Sequence, residues 1–277
     1  MKSKPIMIIA GVVVIVVIAA VALMFISSAY SGYSTAFNNT TKTGSLDYNT
    51  SIDATMDGKT QSAAGHMQIQ GIGTESVKFI NTMTLNGQEI KQYTDGAYVY
   101  QDDGQSKTKY KIGVKPTMPE KPSDFNMDYY VQEFTSLLDA SKLKELNIAD
   151  KCAQNYVQKI TKSSSGGKTQ YDIKLSAELV KNIANAAINS AESDSSQSNP
   201  TIAKVNSFTY TAMENSSKYI DKIIYSADFD MKFPAALTGG SDETKNIQLK
   251  LTMDIINPGQ TVTVSLPGNL ADYQELS

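Results

Sequence analysis

From Leu46 onward the chain alternates between apolar and polar positions. Leu46, Tyr48, Ile52, Ala54 and Met56 fall on one parity, and Asp47, Asn49, Ser51, Asp53, Thr55 and Asp57 on the other. That period of two is the signature of a strand with one dry and one wet face. Met67 and Ile69 then alternate with His66, Gln68 and Gln70, and Val77, Phe79, Met83 and Leu85 continue the pattern. Asn86-Gly87 and Asp95-Gly96 are two-residue hairpin signals, because both positions of such turns favour positive φ. Asp103-Gly104 leads to a further strand near residues 108–112. Residues 46–113 therefore predict a meander of about six antiparallel strands.

Pro116, Pro119 and Pro122 break the alternation, and the period then changes. Met127, Val131, Phe134, Leu137 and Leu138 recur at helical spacing, with Asn126 or Asp128 as N-cap and an end by Lys144. Strands return at 156–162 and 169–175, joined by Ser163-Ser164-Ser165-Gly166-Gly167. A second helix follows Ser176, with Leu179, Val180, Ile183, Ala187 and Ile188 as its apolar stripe. Residues 190–200 form a polar, Ser-rich loop. Four long strands are expected to close the chain, the third centred on Ile247 to Ile255 and the last on Val262, Val264 and Leu266, with a frayed tail after Pro267.

Nearly every strand thus has one apolar face, which something must cover. The expected fold is α+β: a large curved antiparallel sheet, a half-open β-barrel of about 11–12 strands, with two helices on its concave face.

Before the alternation lies an apolar run over 5–26 with no charged side chain. As a helix it would be about 33 Å long, enough to cross a hydrocarbon core of about 30 Å. Lys2 and Lys4 precede it, and the next lysine is Lys42. The positive-inside rule then puts the N-terminus in the cytoplasm and the main domain outside the cell membrane, on a single-pass anchor. Ser27-Ser28-Ala29 would also pass as a signal-peptide cleavage site. The run is longer than the usual h-region, which favours a retained anchor. The expected organisation is a cytoplasmic terminus at 1–4, a transmembrane helix at 5–26, a short helical or linker segment at 27–42, a β-rich extracytoplasmic domain at 43–268 and a tail at 269–277.

Composition narrows the chemistry. The formal net charge is −3 and all 25 basic residues are lysine, so neither a nucleic-acid partner nor a bidentate guanidinium clamp is expected. Cys152 is the lone cysteine, so no intramolecular disulfide can form. His66 is the lone histidine and its parity puts it on a wet face. There is no second histidine for a zinc site or for a well-placed triad. Asp102-Asp103 and the pair Asp228 and Asp230 lack the oxygen density of a calcium loop. No enzyme, metal or cofactor is expected.

The order of anchor, short helix, meander, helix, hairpin, helix and terminal strands resembles the LolA/LppX-like exported lipid and lipoprotein carriers. The strand pair around Glu89-Ile90-Lys91-Gln92-Tyr93-Thr94-Asp95-Gly96-Ala97-Tyr98-Val99-Tyr100 is similar in style to theirs. The resemblance covers roughly residues 33–266. It implies a half-open barrel with an apolar cavity between sheet and helices that takes acyl chains.

The expected lining is Met56, Met67, Phe79, Met83, Tyr225, Phe229, Met231, Leu251 and Met253 from the strands, with Phe134 and Ile183 from the helices. Five of these are methionines, whose flexible thioethers adapt to irregular partners. Departures from the carriers are the long anchor, no lipobox cysteine and no arginine, which favour a fixed module over a shuttle. Two readings stay open: a membrane-anchored binding module for a lipid, acyl chain or lipidated partner, or a structural module with a filled core that binds protein or cell-wall polymer. Tyr93, Tyr98, Tyr100, Tyr110, Tyr129 and Tyr130 could serve either.

Overall fold

The computed structural model describes residues 31–72, 76–85, 87–111, 157–175 and 200–275, with isolated helical positions at 177–178, 180–181 and 185. The apolar run at 5–26, the helix expected around Phe134, Ile183, Cys152, Tyr129, Tyr130 and most of the Ser-rich loop lie outside these residues. Among the described residues no helix is long and apolar enough to cross a membrane.

A helix, α1 (Ser31–Thr41), enters β1 (Ser45–Met56), and the meander follows as β2 (Lys59–Gln70), β3 (Lys78–Leu85), β4 (Gln88–Thr94), β5 (Tyr98–Asp102) and β6 (Lys107–Lys111). After the break come β7 (Val157–Ser165), β8 (Lys168–Leu175), β9 (Thr201–Glu214), β10 (Ile220–Phe233), the single turn α2 (Ala235–Thr238) and β11 (Glu243–Ile255). A 3-10 turn (Leu270–Asp272) and β12 (Gln274–Glu275) end the chain. All twelve strands form one sheet in the order β12-β6-β5-β4-β3-β2-β1-β11-β10-β9-β8-β7. Every pairing is antiparallel except β12 with β6, and the sheet is unclosed, because its outermost strands β12 and β7 do not meet.

The expected hairpins are present. Asp95 accepts hydrogen bonds from the backbone N–H groups of Ala97 and Tyr98, each at 2.8 Å, and so shapes the β4–β5 turn. Gly166 and Gly167 both have positive φ, which lets β7 and β8 run through the serine stretch to a two-residue turn. Registers align the dry faces. One row runs Ala63, Ile52, Leu251, Tyr225, Tyr210, Ile173 and Ile160, one residue from each strand between β2 and β7. These residues, with Phe79 of β3 and Val99 of β5, belong to one apolar cluster. Tyr33 and Ala36 of the preceding helix join the same cluster, so the dry face is the covered, concave face of the curved sheet.

Two expectations are corrected. Residues 261–267 form no strand: Val262 donates its N–H to the Ser45 hydroxyl at 3.0 Å, and Val264 to the Gln70 side-chain oxygen at 3.0 Å. Three long strands, not four, therefore close the sheet. The tail after Pro267 does not fray. It folds back as the 3-10 turn and β12 over the far edge of the sheet, where Tyr273 is 4 % exposed.

The residues before β1 form a short helix as expected, α1, whose Tyr33 and Ala36 are among the most buried residues of the concave core. It is also the one complete covering helix among the described residues. The second expected helix shows only helical positions that include Val180, which joins the same core.

Candidate ligand-binding face

α1 presents Tyr33, Ala36 and Thr40 to the sheet, a spacing of three and four that puts them on one helical face. The Tyr33 ring meets Tyr171 and Tyr210 edge-on, both at centroid distances of 5.9 Å. Its hydroxyl shares a short hydrogen bond with that of Tyr210. Tyr210 in turn packs on Tyr225 at 5.0 Å. Burial raises the pKa of Tyr33, Tyr210 and Tyr225, so these phenols stay neutral. The end of α1 is pinned as well. Thr40 donates to the Ala36 carbonyl at 2.8 Å and accepts the Ile220 N–H at 2.8 Å, while Gly259 N–H reaches the Thr40 carbonyl at 3.1 Å. Only glycine fits at 259: a Cβ there would lie 2.3 Å from the Tyr219 ring, and φ is +76°.

One charged group is buried on this face. Glu214, 2 % exposed, accepts from the Tyr171 hydroxyl at 2.5 Å and from the Lys218 ammonium at 2.7 Å. Burial pushes its carboxyl up, but donation from Lys218 and Tyr171 outweighs that and holds it below its ordinary value.

The expected lining residues that fall within the described chain share the concave face. Met67, Phe79, Tyr225, Phe229, Met231, Leu251 and Met253 are all buried in the one cluster. Met56 and Met83 are half-buried against it. Tyr48 donates its hydroxyl to the Met67 sulfur at 2.8 Å. α1 reaches the half of the face near the start of β10 and the end of β9. Met56, Phe229 and Met231 sit toward the opposite strand ends, whereas Met83 is in register with Gly65, Thr50, Met253 and Ile223.

Beyond β8, whose pairing with β9 stops at Lys174 and Thr209, the Asn185 side chain takes over. It accepts the Ile202 N–H at 2.7 Å and donates to the Ile202 carbonyl at 3.1 Å. Phe134 and Ile183 cannot be placed relative to this face, being outside the described residues. Tyr33, Tyr171, Tyr210 and Glu214 were not anticipated for this face.

The other face is polar over the long strands. His66 is exposed and bonds Asp47 at 2.6 Å. Asp228 accepts from Asn206 and Asn246 at 2.9 and 2.8 Å, and these bonds hold its pKa below the ordinary range. An open depression of about 320 Å³ here is lined by Asp53, Ser226, Asp228, Gln248 and Lys250 among others, and is too open to enclose an acyl chain. No group of three or more His, Cys, Asp or Glu side chains converges among the described residues.

Over β4–β6 the polar face turns aromatic. Tyr93 and Tyr100 are covered by Tyr273, with Leu266 and Leu270 beside them. Tyr100 meets Tyr273 edge-on at 5.4 Å and donates to Asp95 at 2.8 Å. Tyr93 and Tyr100 are therefore packed under the chain's own C-terminal segment rather than displayed to a partner.

The described residues thus form a large, curved, unclosed sheet with a helix on its dry face. No protein-family model matches the chain, and no curated protein matches it in sequence. Among solved structures it is similar to LprF from Mycobacterium bovis, with a TM-score of 0.33, 8% sequence identity and coverage of 86% of this chain and 97% of that one. It is also similar to a DUF1329 family protein from Desulfovibrio piger, with a TM-score of 0.26, 10% identity and coverage of 86% and 95%.

Proposed function

We propose that the domain is a non-catalytic binding module, held at the outer side of a cell membrane by the apolar run at 5–26, that takes a lipid, an acyl chain or a lipidated protein on its concave face. One observation carries this reading. The dry face is apolar along the whole length of β1, β10 and β11, yet α1 covers only its half nearest the start of β10. Met56, at the opposite end of β1, remains half-buried. A flexible thioether at an incompletely covered end suits a ligand of variable shape. The anchor is inferred from the length of the apolar run and from Lys2 and Lys4 before it.

A second reading, a filled core serving an interaction module, is favoured by the near-complete burial of Phe229 and Met231, at 3 and 2 % exposure. Uptake of a fluorescent fatty acid by the full chain in detergent-free nanodiscs separates the two, with empty nanodiscs as the blank. The binding module gives saturable uptake above that blank, weakened by Phe229→Ala and Met231→Ala in chains that still fold. Uptake equal to the blank would leave the filled core.

A further inference from the structure

We infer that Asn81, Gln92 and Gln101 form a headgroup subsite on the concave face, and that it takes an uncharged lipid carrying ester and hydroxyl groups, an acylglycerol, in preference to an anionic one. The inference rests on the binding reading above and deepens it.

The first observation is placement. Registers put Tyr48, Met67, Asn81, Gln92 and Gln101 in one row across β1 to β5. At β3 the row changes from apolar side chains to amides. Its neighbours along the same strands and the same face are apolar: Phe79 and Met83 flank Asn81, Ile90 precedes Gln92, and Val99 precedes Gln101. Beside Gln92, Thr94 donates its hydroxyl to the Tyr98 carbonyl at 2.7 Å. The three amides therefore make a polar stripe, about 10 Å long at the usual strand spacing, inside a mostly apolar face.

The second observation is unused hydrogen-bonding capacity. Asn81 Nδ2 donates to Gln92 Oε1 at 3.0 Å, and Gln92 Nε2 donates to Gln101 Oε1 at 3.4 Å. Among the described residues, the Asn81 side-chain oxygen and the Gln101 side-chain nitrogen at the two ends take no further partner. Gln101 is only 7 % exposed. A buried amide is costly unless its hydrogen bonds are made, and a ladder that served only to staple the strands would leave both ends unmade. An acylglycerol completes them: its ester carbonyl accepts from Gln101 Nε2 and its hydroxyl donates to Asn81 Oδ1. The third observation is charge. Every charged residue of β3–β6, from Lys78 and Glu89 to Lys109 and Lys111, has the opposite parity and so belongs to the outer face. An ionised headgroup on the stripe would meet no counter-charge, whereas an ester or hydroxyl needs none.

The test gives the full chain in nanodiscs three pyrene-labelled probes of one chain length, with empty discs as the blank: a monoacylglycerol, the fatty acid in alkaline buffer where its carboxyl is ionised, and an alkane. The native chain should bind the monoacylglycerol about tenfold more tightly than the ionised acid, and Gln92→Met and Gln101→Met should each weaken the monoacylglycerol about tenfold, the loss of one or two hydrogen bonds, while leaving alkane binding unchanged. Methionine keeps the length of the side chain and removes its hydrogen bonds. Gln92 is half-buried, so its variant keeps the test open if Gln101→Met does not fold, and the comparison of probes on the native chain needs no variant. Equal binding of the ionised acid and the monoacylglycerol would overturn the inference. So would folded methionine variants whose monoacylglycerol binding is unchanged, or falls in step with the alkane, since the amides would then only staple the strands. A folded native chain that takes up none of the three probes would instead overturn the binding reading itself.

Discussion

Replacing Tyr33 by alanine tests whether α1 is part of the domain or a strap laid across it. The side chain is 2 % exposed and its ring meets Phe37, Tyr171 and Tyr210, so little can collapse into the space it leaves. Deleting a fully buried aromatic ring costs about 3–5 kcal/mol. The Tyr210 hydroxyl loses its partner as well, which adds about 1–3 kcal/mol if no water replaces it. For a domain of this size each kcal/mol lowers Tm by roughly 2–4 °C, so Tyr33→Ala should melt on the order of 10 °C or more below the native chain. Tyr33→Phe separates the two contributions: it keeps the ring and strands only Tyr210. Combining it with Tyr210→Phe removes both hydroxyls and should recover part of the loss. Thermal and urea unfolding of the full chain in micelles, followed by circular dichroism, reads all four proteins. A cost below about 1 kcal/mol for Tyr33→Ala would refute the reasoning, since surface changes fall in that range.

Two further outcomes follow from buried contacts. The Glu214 carboxyl titrates below its ordinary 4.5 in the folded chain, so its stabilisation is complete above that value and is lost as pH falls through the lower folded value. Glu214→Gln should therefore be less stable than the native chain at neutral pH, with the gap narrowing in acid; a gap that widens in acid contradicts the assignment. Tyr273→Ala should cost about 3–5 kcal/mol and expose Tyr93 and Tyr100 to solvent, and unchanged melting with unchanged tyrosine fluorescence would mean that the tail does not cover them.

The strands were legible because their alternation is local. Leu46, Tyr48, Ile52 and Ala54 point inward as their parity predicts, and Gly87 and Gly96 have the positive φ that the hairpin signals predict. The misread segments are those whose partners are distant in sequence. Val262 and Val264 alternate like a strand, but their N–H groups go to the side chains of Ser45 and Gln70, about 200 residues earlier. Leu266, Leu270 and Tyr273 have no period of their own, and nothing local announces that they will cover Tyr93 and Tyr100. α1 did carry a helical spacing in Tyr33, Ala36 and Thr40, but alanine and threonine are weak signals of burial. Threonine becomes buriable only because Ala36 and Ile220 complete its hydrogen bonds. Of the candidate face, the methionines were readable from parity. The tyrosine cluster was not, because it forms only when α1 meets β8, β9 and β10.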